Sequence, residues 1–205
     1  MFWRYLPLAG IVSMILIAGC IRPLLQLKMH GTTGFFLFRS GRPAQMLRDT
    51  LFVLMLGAFA YQGYTGPRRA TLLRPLLAEG TTIYDVLQVV GAVLIIGGVV
   101  LFAAAQLNLG ASWQVGIDER YKPGFVSSGL YSFSRHPIFL GFLTLMTGYA
   151  AMLPTTLSFI LLLGAYIGFR TQADTEEAYM LKTYGEPYRD YTRRVGRFIP
   201  GVGKL

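Results

Sequence analysis

The chain has 205 residues, of which 53% are hydrophobic and only 14% are charged, and its formal net charge at pH 7 is +9. Ordinary soluble domains contain about 25% charged residues, so this composition argues against a soluble globule and against a disordered chain. The charges lie outside long apolar runs, which favours membrane orientation over nucleic-acid binding as their role. The single cysteine, Cys20, excludes an intrachain disulfide and a cysteine-based metal cage.

Five apolar runs follow one another along the chain, and each is a candidate membrane-spanning helix, which needs roughly 20 mostly apolar residues. They cover residues 5–21, 51–64, 83–109, 137–153 and 155–169. Only Pro154 separates the last two runs, which predicts a tight antiparallel hairpin. The sequence therefore predicts an all-α polytopic membrane protein with about five transmembrane helices, three in an N-terminal part (1–109) and two in a core (110–205) that ends in a helical tail.

The stretch 22–45 lies between the first two runs and contains several glycines and Pro43. This density of glycine and proline predicts a long cytoplasmic connection. Its Phe-rich part, residues 35–38, is expected to dip into the membrane interface or to re-enter the membrane. His30, in the same connection, is expected to be solvated or interfacial.

Lysine and arginine are unevenly divided between the two sides that five spans create: fifteen lie on the side of the C-terminal tail and four on the other. The positive-inside rule then places the tail in the cytoplasm, with the chain in a bacterial inner membrane. Residues 16–20, which end at Cys20, also resemble a bacterial lipoprotein cleavage site. Cleavage there would place the basic tail outside, so a buried cysteine in a helix is the favoured interpretation.

A polar motif precedes the fourth run. Pro137 suits the first position of a helix, where its missing N–H costs nothing, and this places Arg135 and His136 at the mouth of that helix. A helix N-terminus presents free N–H groups and partial positive charge, so these residues form a candidate anion site at the membrane surface. The alternative, in which Arg135 and His136 only anchor the helix among lipid headgroups, stays open.

The C-terminal tail carries the second candidate site. Acidic residues, including Glu176 and Glu177, open a predicted amphipathic helix that starts at Asp174 and is capped by Gly185. A short predicted helix with Tyr188 and Tyr191 on one face follows. A group of arginines comes next: Arg193, Arg194 and Arg197. The alternative is a basic surface helix on anionic lipid, which explains the arginines but not the glutamates.

Taken together, the two blocks resemble one family. The first reads Gly129-x-Tyr131-x-x-x-Arg135-His136-Pro137-x-Phe139-x-Gly141, and the second contains Glu176-Glu177, Tyr184-Gly185-x-x-Tyr188-x-x-Tyr191 and Arg197-Phe198-Ile199-Pro200. This pattern resembles the isoprenylcysteine carboxyl methyltransferase family and the related membrane phospholipid methyltransferases. The resemblance covers the region from residue 109 to residue 200, and the preceding part carries no signature beyond its apolar runs.

The resemblance implies methyl transfer from S-adenosylmethionine to a lipophilic or membrane-embedded acceptor. It implies a cytoplasmic cofactor site at Tyr131, Arg135, His136, Pro137, Phe139, Glu176 and Glu177, with Arg170, Arg194 and His136 as catalytic candidates. Glu176 would pair with the ammonium of the cofactor, and Phe139 and Tyr131 would face its sulfonium through cation–π attraction. His136 would act as the base if the acceptor is an amine or a protonated thiol.

Departures from the family pattern leave the acceptor open among a carboxylate, a phospholipid amine and a thiol. Gln172 stands where the prenylcysteine enzymes are expected to have an arginine, with Arg170 two residues away; Phe139 replaces a tyrosine and Gly196 a proline. The alternative enzyme is an NADPH-dependent membrane sterol or steroid reductase, although Ile138 and Phe139 stand where its Asn-Tyr is expected. A non-enzymatic membrane scaffold is a third possibility, and neither nucleic acid nor a metal ion is expected as a partner.

Overall fold

A computed structural model describes residues 2–34, 38, 43–66, 71–114 and 125–204, and this part of the chain is helical, without a strand. In chain order the helices are α1 (Leu6–Leu16), α2 (Arg22–His30), α3 (Pro43–Thr65), α4 (Thr82–Asn108), α5 (Pro137–Met152), α6 (Thr156–Tyr184) and α7 (Glu186–Arg194). A 3-10 turn at Gly129–Ser132 precedes α5. The all-α prediction is confirmed.

α1 and α2 form one continuous helix, because a π-helical stretch at Ile17–Ile21 joins them. The predicted connection from residue 22 is therefore wrong in its first part, which stays helical as far as His30. Arg22 and Gln26 account for the difference. They lie one turn apart on the same face of α2, and both are buried because they donate to carbonyl groups at and just beyond the end of α4.

Three smaller predictions concern the same N-terminal region. Cys20 lies inside the helix as expected, but it is exposed, so its predicted burial is wrong. His30 is exposed at the end of α2, as a solvated or interfacial residue should be. Residues 35–37 of the predicted interfacial segment lie outside the described residues.

Two helices of the described part are long and apolar enough to cross a membrane: the continuous helix Trp3–His30 and α4. α5 is apolar but has only 16 residues. α3 has 23 residues and begins before the predicted second run. Apolar helices of membrane-crossing length are therefore present, whereas the number of five spans and the side on which the tail lies stay predictions.

α4 and α5 pack closely through facing glycines. A Cβ atom on Gly98 would lie 2.5 Å from the backbone nitrogen of Leu145, and one on Gly91 would lie 2.8 Å from the carbonyl oxygen of Gly148. Small residues allow this close approach of two helix backbones. Residues of rising number in α4 meet residues of falling number in α5, so the helices are antiparallel. The end of α4 therefore lies beside the start of α5.

The connection between α5 and α6 consists of residues 153–155, so the predicted tight hairpin is confirmed. Thr155 caps α6, because its hydroxyl accepts from the backbone N–H of Ser158 at 3.2 Å. Gln62 of α3 donates to the hydroxyls of both residues, at 2.6 Å to Thr155 and 2.9 Å to Ser158. This network fixes the end of the hairpin that lies opposite the predicted site.

α6 runs for 29 residues without interruption, from the fifth apolar run into the acidic segment. The prediction of a separate helix that opens at Asp174 is wrong, because no glycine or proline between residues 169 and 184 ends the first helix. A helix of this length spans about 43 Å, whereas the hydrocarbon of a bilayer is about 30 Å thick. Its acidic second half can therefore extend beyond the membrane.

Gly185 ends α6 with a φ of +61°, a conformation that favours glycine, and turns the chain into α7. The predicted cap and the predicted short helix are both confirmed. Tyr188 and Tyr191 lie buried on one face of α7 and pack against Phe125, with ring centroids 5.7 and 5.8 Å away. This packing holds the tail against the segment that leads into α5.

Candidate active site

A buried carboxylate, Glu177 of α6, lies at the centre of a cluster beside the start of α5. Arg135 Nε donates to Glu177 Oε1 at 3.0 Å, and His136 Nε2 lies 3.1 Å from the same oxygen. Arg197 binds both carboxylate oxygens, with its Nε 3.1 Å from Oε1 and its Nη2 2.6 Å from Oε2. Burial opposes ionisation, but hydrogen bonds from His136 and Arg197 and the neighbouring positive charges lower the pKa of Glu177 to about 2. Glu177 is therefore an ionised carboxylate enclosed by basic side chains.

Arg135 connects the C-terminal segment to the start of α5 through side-chain hydrogen bonds. Its Nη1 donates to the carbonyl oxygens of Thr192 at 3.2 Å and Val195 at 2.6 Å, and its Nη2 donates to that of Gly203 at 3.0 Å. With the bond from Nε to Glu177, all three guanidinium nitrogens of Arg135 have partners inside the protein. Arg135 is placed to position Glu177 and the tail.

Backbone hydrogen bonds complete the junction between the two sequence blocks. Arg135 N–H donates to the carbonyl of Gly196 at 2.9 Å, and His136 N–H donates to that of Arg197 at 3.1 Å. The hydroxyl of Ser134 also donates to the Arg197 carbonyl, at 3.1 Å. The start of α5 and the segment after α7 therefore form one body, although about 60 residues separate them in the sequence.

His136 lies between the two neighbouring glutamates. Its Nδ1 is 3.4 Å from Glu176 Oε2 and its Nε2 is 3.1 Å from Glu177 Oε1. Burial alone would lower the pKa of His136, but the hydrogen bonds and negative charges of both carboxylates raise it. The ring also stacks on Phe139, with centroids 5.2 Å apart. Both ring nitrogens of His136 therefore face carboxylate oxygens, which favours the protonated form of the ring.

Glu176 differs from Glu177 because it is accessible. Its side chain is 34% exposed, against 5% for Glu177. Gln172, one turn earlier on α6, donates to Glu176 Oε1 at 2.8 Å. Successive residues of a helix point about 100° apart, which directs one carboxylate into the protein and leaves the other at its surface. Glu176 is thus oriented by Gln172 and His136 and remains open to a ligand.

Aromatic side chains border the same site. Tyr131 is buried, and its carbonyl oxygen accepts from the hydroxyl of Tyr191 at 2.6 Å. Burial and the nearby Glu176 carboxylate both raise the pKa of Tyr131, so its phenol stays neutral. Phe139 stacks on Phe169 of α6, with centroids 4.9 Å apart, as well as on His136. Pro137 begins α5, as predicted.

The other arginines are distributed differently from the prediction. Arg194 is exposed on α7, where its Nε donates to the carbonyl of Asp190 at 3.2 Å, and Arg170 is exposed on α6. No hydrogen bond or ion pair among the described residues joins either of them to the Glu177 cluster. Arg197, which was absent from the predicted site, binds Glu177 and also Asp174, the latter at 2.6 Å. Its place in the second sequence block is the signal that pointed to it.

A cleft of about 420 Å³ lies between α6 and α7 and adjoins this cluster. Glu177 and Arg197 belong both to the cluster and to the wall of the cleft. The rest of the wall combines basic and acidic side chains with the ring of a tyrosine: Asp174, Tyr188, Arg189, Thr192 and Arg193 are among them. The site therefore has an adjoining space of the size that a small polar ligand requires.

Comparison with known proteins shows which proteins this chain is similar to. Residues 86–187 match the family model of phospholipid methyltransferases. A protein-S-isoprenylcysteine O-methyltransferase of Dictyostelium discoideum is 27% identical over 116 residues, which are 55% of this chain and 49% of the relative. The Schizosaccharomyces pombe protein of the same name is 35% identical over 78 residues, 37% of this chain and 32% of the relative. A methanethiol S-methyltransferase of a Pseudomonas species is 35% identical over 89 residues, 43% of this chain and 33% of the relative.

The matched segments thus span from a third to a half of these three relatives. The family match contains the start of α5 and all of α6, and with them His136, Glu176 and Glu177. It confirms the family resemblance stated from the two sequence blocks, and nothing in the comparisons supports the reductase alternative. The segment 86–187, about half of the chain, matches the phospholipid methyltransferase family.

Proposed function

We propose that the chain transfers the methyl group of S-adenosylmethionine to a lipophilic acceptor at the membrane surface. The observation that carries this proposal is the convergence of His136, Glu176 and Glu177 inside the segment that matches the family. The relatives named above are methyltransferases, and they act on acceptors as different as an isoprenylcysteine and methanethiol. The reaction class therefore has stronger support than any particular acceptor.

The side chains present fit the chemistry of this cofactor, which carries an ammonium, a carboxylate and a cationic sulfur. Glu176 is the accessible carboxylate for the ammonium. The N-terminus of α5 supplies N–H groups and partial positive charge for the cofactor carboxylate. His136 is the N-cap residue of that helix and orients Glu176, because its Nδ1 faces Glu176 Oε2. Tyr131 is the aromatic residue proposed to face the cofactor sulfonium, and the Glu176 carboxylate contributes to the raised pKa of its phenol.

When bound, S-adenosylmethionine supplies an electrophilic methyl group. Glu177 is a positioning residue, because its carboxylate faces His136 Nε2 and so directs Nδ1 at Glu176. Arg135 and Arg197 are positioning residues as well, because they hold the Glu177 carboxylate in place. Phe139 faces the His136 ring and excludes water from that side. These residues hold and orient the reactants, which can supply a large part of the rate of a displacement reaction.

The geometry also narrows the kind of acceptor. Both ring nitrogens of His136 face carboxylates and its pKa is raised, so His136 is placed to donate rather than to act as a base. An acceptor that is already ionised, such as a carboxylate or a thiolate, needs no base. Arg170 and Arg194 are exposed cations that would contact such an acceptor from outside the Glu177 cluster.

The charge distribution and the length of α6 support a location for this reaction. We place the chain in a bacterial inner membrane with its C-terminus in the cytoplasm, where S-adenosylmethionine is made. The positive charge of the tail and the extension of α6 beyond the hydrocarbon both favour this arrangement.

Thermal unfolding of the detergent-solubilised protein tests the proposed function. S-Adenosylhomocysteine at 100 times its Kd should stabilise the fold by about 2.7 kcal/mol, because it binds the native state alone. NADPH at the same concentration should have no effect. Stabilisation by NADPH without stabilisation by S-adenosylhomocysteine would establish the reductase alternative and overturn the proposal.

A further inference from the structure

A second buried polar cluster lies at the end of α4, at the end of the bundle where α5 begins. It contains Arg22 and Gln26 of α2, which are 4% and 1% exposed, and Gln106 of α4, which is 1% exposed. Arg22 Nε donates to the carbonyl of Gln106 at 3.3 Å, and its Nη2 donates to that of Gly110 at 2.5 Å. The Arg22 guanidinium lies over the ring of Trp113, 5.1 Å from its centroid.

Part of this arrangement is structural. The last carbonyl groups of a helix have no partners within it, and Arg22 and Gln26 donate to such groups at and just beyond the end of α4. This capping does not use all of the polar groups. Arg22 Nη1 donates no hydrogen bond to any described residue, and none of the ion pairs among the described residues includes Arg22.

Three buried amide oxygens in this region also lack a hydrogen-bond partner among the described residues: Oε1 of Gln26, of Gln106 and of Gln114. A buried polar atom without a partner destabilises a fold, so native proteins rarely retain several together. For Gln106, no described hydrogen bond involves the side chain at all, although it is almost completely buried. Capping of the α4 carbonyl groups therefore does not explain the buried side-chain amide of Gln106.

The backbone before Arg22 points to function as well. Arg22 is a buried cation in an apolar helix of membrane-crossing length, where a charged residue is costly and commonly marks a substrate or ion site. The π-helical stretch Ile17–Ile21 ends directly before Arg22, and π turns inside helices occur frequently at functional sites. The extra residue of this turn sets the direction in which Arg22 and Gln26 project.

The cluster is connected to the proposed cofactor site. Asn108, two residues beyond Gln106, accepts from the backbone N–H of Leu130 at 2.7 Å. The next residue is Tyr131, whose carbonyl oxygen binds the hydroxyl of Tyr191 in α7. The turn that carries Tyr131 therefore lies between the cofactor site and the end of α4.

We propose that Arg22, Gln26, Gln106 and Trp113 bind the polar head of the methyl acceptor. Arg22 Nη1 holds an anionic oxygen of that head, the free amide oxygens accept from N–H or O–H groups beside it, and the indole covers its apolar part. The acceptor is then an apolar compound whose head carries a carboxylate or a phosphate next to a hydrogen-bond donor. The identification of this head as the acceptor rests on the proposed methyltransferase function; the binding of the head does not.

Saturable binding of three radiolabelled probes to the purified full-length protein tests this proposal. N-Lauroylglycine carries a carboxylate and an N–H, lysophosphatidylethanolamine carries a phosphate and an ammonium, and N-lauroylglycine methyl ester lacks the charge. N-Lauroylglycine is an anion and lysophosphatidylethanolamine a zwitterion, but each carries an anionic group and is called an anionic probe for that reason. One of the two should bind at least about tenfold more tightly than the ester, and its identity assigns the carboxylate or the phosphate. The absence of saturable binding of both anionic probes would overturn the proposal.

Arg22→Gln keeps N–H donors for the α4 carbonyls but removes the charge. It should weaken binding of the anionic probe about tenfold while the affinity for S-adenosylhomocysteine stays within about twofold. Lys28→Gln, which removes an exposed cation from the same helix, is the matched control and should change neither affinity. Equal binding of the anionic probe to Arg22→Gln and wild type would contradict the proposal.

Gln106→Leu keeps the proposal testable if Arg22→Gln does not fold. Gln106 Oε1 has no partner among the described residues, so the loss of this oxygen should cost little stability, which the unfolding temperature checks. If the amide accepts from the ligand, the same variant binds the anionic probe more weakly; if its probe affinity equals that of wild type, Gln106 has no role in binding. Failure of wild-type protein to bind S-adenosylhomocysteine would count against the proposed function alone, since probe binding is measured without it.

Discussion

Two adjacent glutamates have different structural roles at this site. Glu177 is buried under Arg135, His136 and Arg197, and all of its hydrogen bonds are made inside the protein. Glu176 is one third exposed and bonds to Gln172 and His136. The first carboxylate therefore stabilises the fold, and the second is available to a ligand.

This division predicts opposite effects for two conservative substitutions. Glu177→Gln leaves three basic side chains without their shared counter-charge, and removal of one partner of a buried ion pair costs about 3–5 kcal/mol. Glu176→Gln should change stability by less than about 1 kcal/mol, because exposed ion pairs contribute little. Unfolding temperatures of both variants in detergent, relative to wild type, measure the difference. Equal losses in the two variants would show that burial does not distinguish these carboxylates.

The contact between His136 and Glu177 also predicts a pH dependence. The pKa of His136 is raised from 6.5, so its contribution to stability is complete below pH 6.5 and is lost as the pH rises through the folded pKa. The pKa of Glu177 is lowered from 4.5 to about 2, so its contribution is present above pH 4.5 and is lost as the pH falls towards 2. The unfolding temperature should therefore be highest between these limits. His136→Gln should flatten the alkaline fall, and an unchanged fall in that variant would assign it to another group.

The sequence predicted the members of this site better than their roles. The motif around His136 and the pair Glu176-Glu177 are visible as residue patterns, and the structure brings these patterns together. The roles depend on helical phase and on contacts with distant residues, such as Arg197 on Glu177, which no local pattern contains. The cofactor-binding and catalytic assignments themselves stay proposals.

Secondary-structure elements were predictable where apolar runs end at clear signals. α4 and α5 lie within one residue of the predicted third and fourth runs, since an N-cap threonine and Pro137 mark their starts. The first helix was predicted to end too early, because the apolar run ends before Arg22. The burial of Arg22 and Gln26 in a continuing helix depends on partners 84 to 88 positions away. The break within α6 was predicted from charge alone, and acidic residues do not end a helix.

The close packing of α4 on α5 predicts that a larger residue at Gly98 destabilises the fold. Gly98→Ala places a Cβ atom 2.5 Å from the backbone nitrogen of Leu145, so the helices must separate. Overpacking of this kind typically costs about 1–3 kcal/mol. Gly97→Ala is the matched control, since a Cβ at the neighbouring position meets nothing within 4 Å. Unfolding temperatures should fall for the first variant alone, and equal values would mean that the two helices are not in close contact at Gly98.

At the scale of the whole molecule, the sequence predicts the orientation of the helices in the membrane from the distribution of charge. Long apolar helices and a basic tail predict a cytoplasmic C-terminus, but charge counts act during membrane insertion and leave no contact in the folded chain. The site and the cluster at Arg22 both lie at the end of the bundle where α4 ends and α5 begins. The orientation therefore decides whether both sites face the cytoplasm.

Labelling of single cysteines in intact cells tests this orientation. In a Cys20→Ser background, Glu79→Cys should react with a membrane-impermeant maleimide, and Lys204→Cys should react only after the cells are permeabilised. Both positions are exposed in the fold, so accessibility reports the side of the membrane. Labelling of Lys204→Cys in intact cells would place the tail outside.

The affinity of the purified protein for S-adenosylhomocysteine is the most direct measurement of the central claim, that the accessible glutamate beside His136 binds the methyl donor. Glu176→Gln should weaken binding at least tenfold, which corresponds to about 1.4 kcal/mol. Glu186→Gln, which removes an exposed carboxylate paired with Arg189 on α7, should bind as wild type does. Wild-type affinity in Glu176→Gln would contradict the claim.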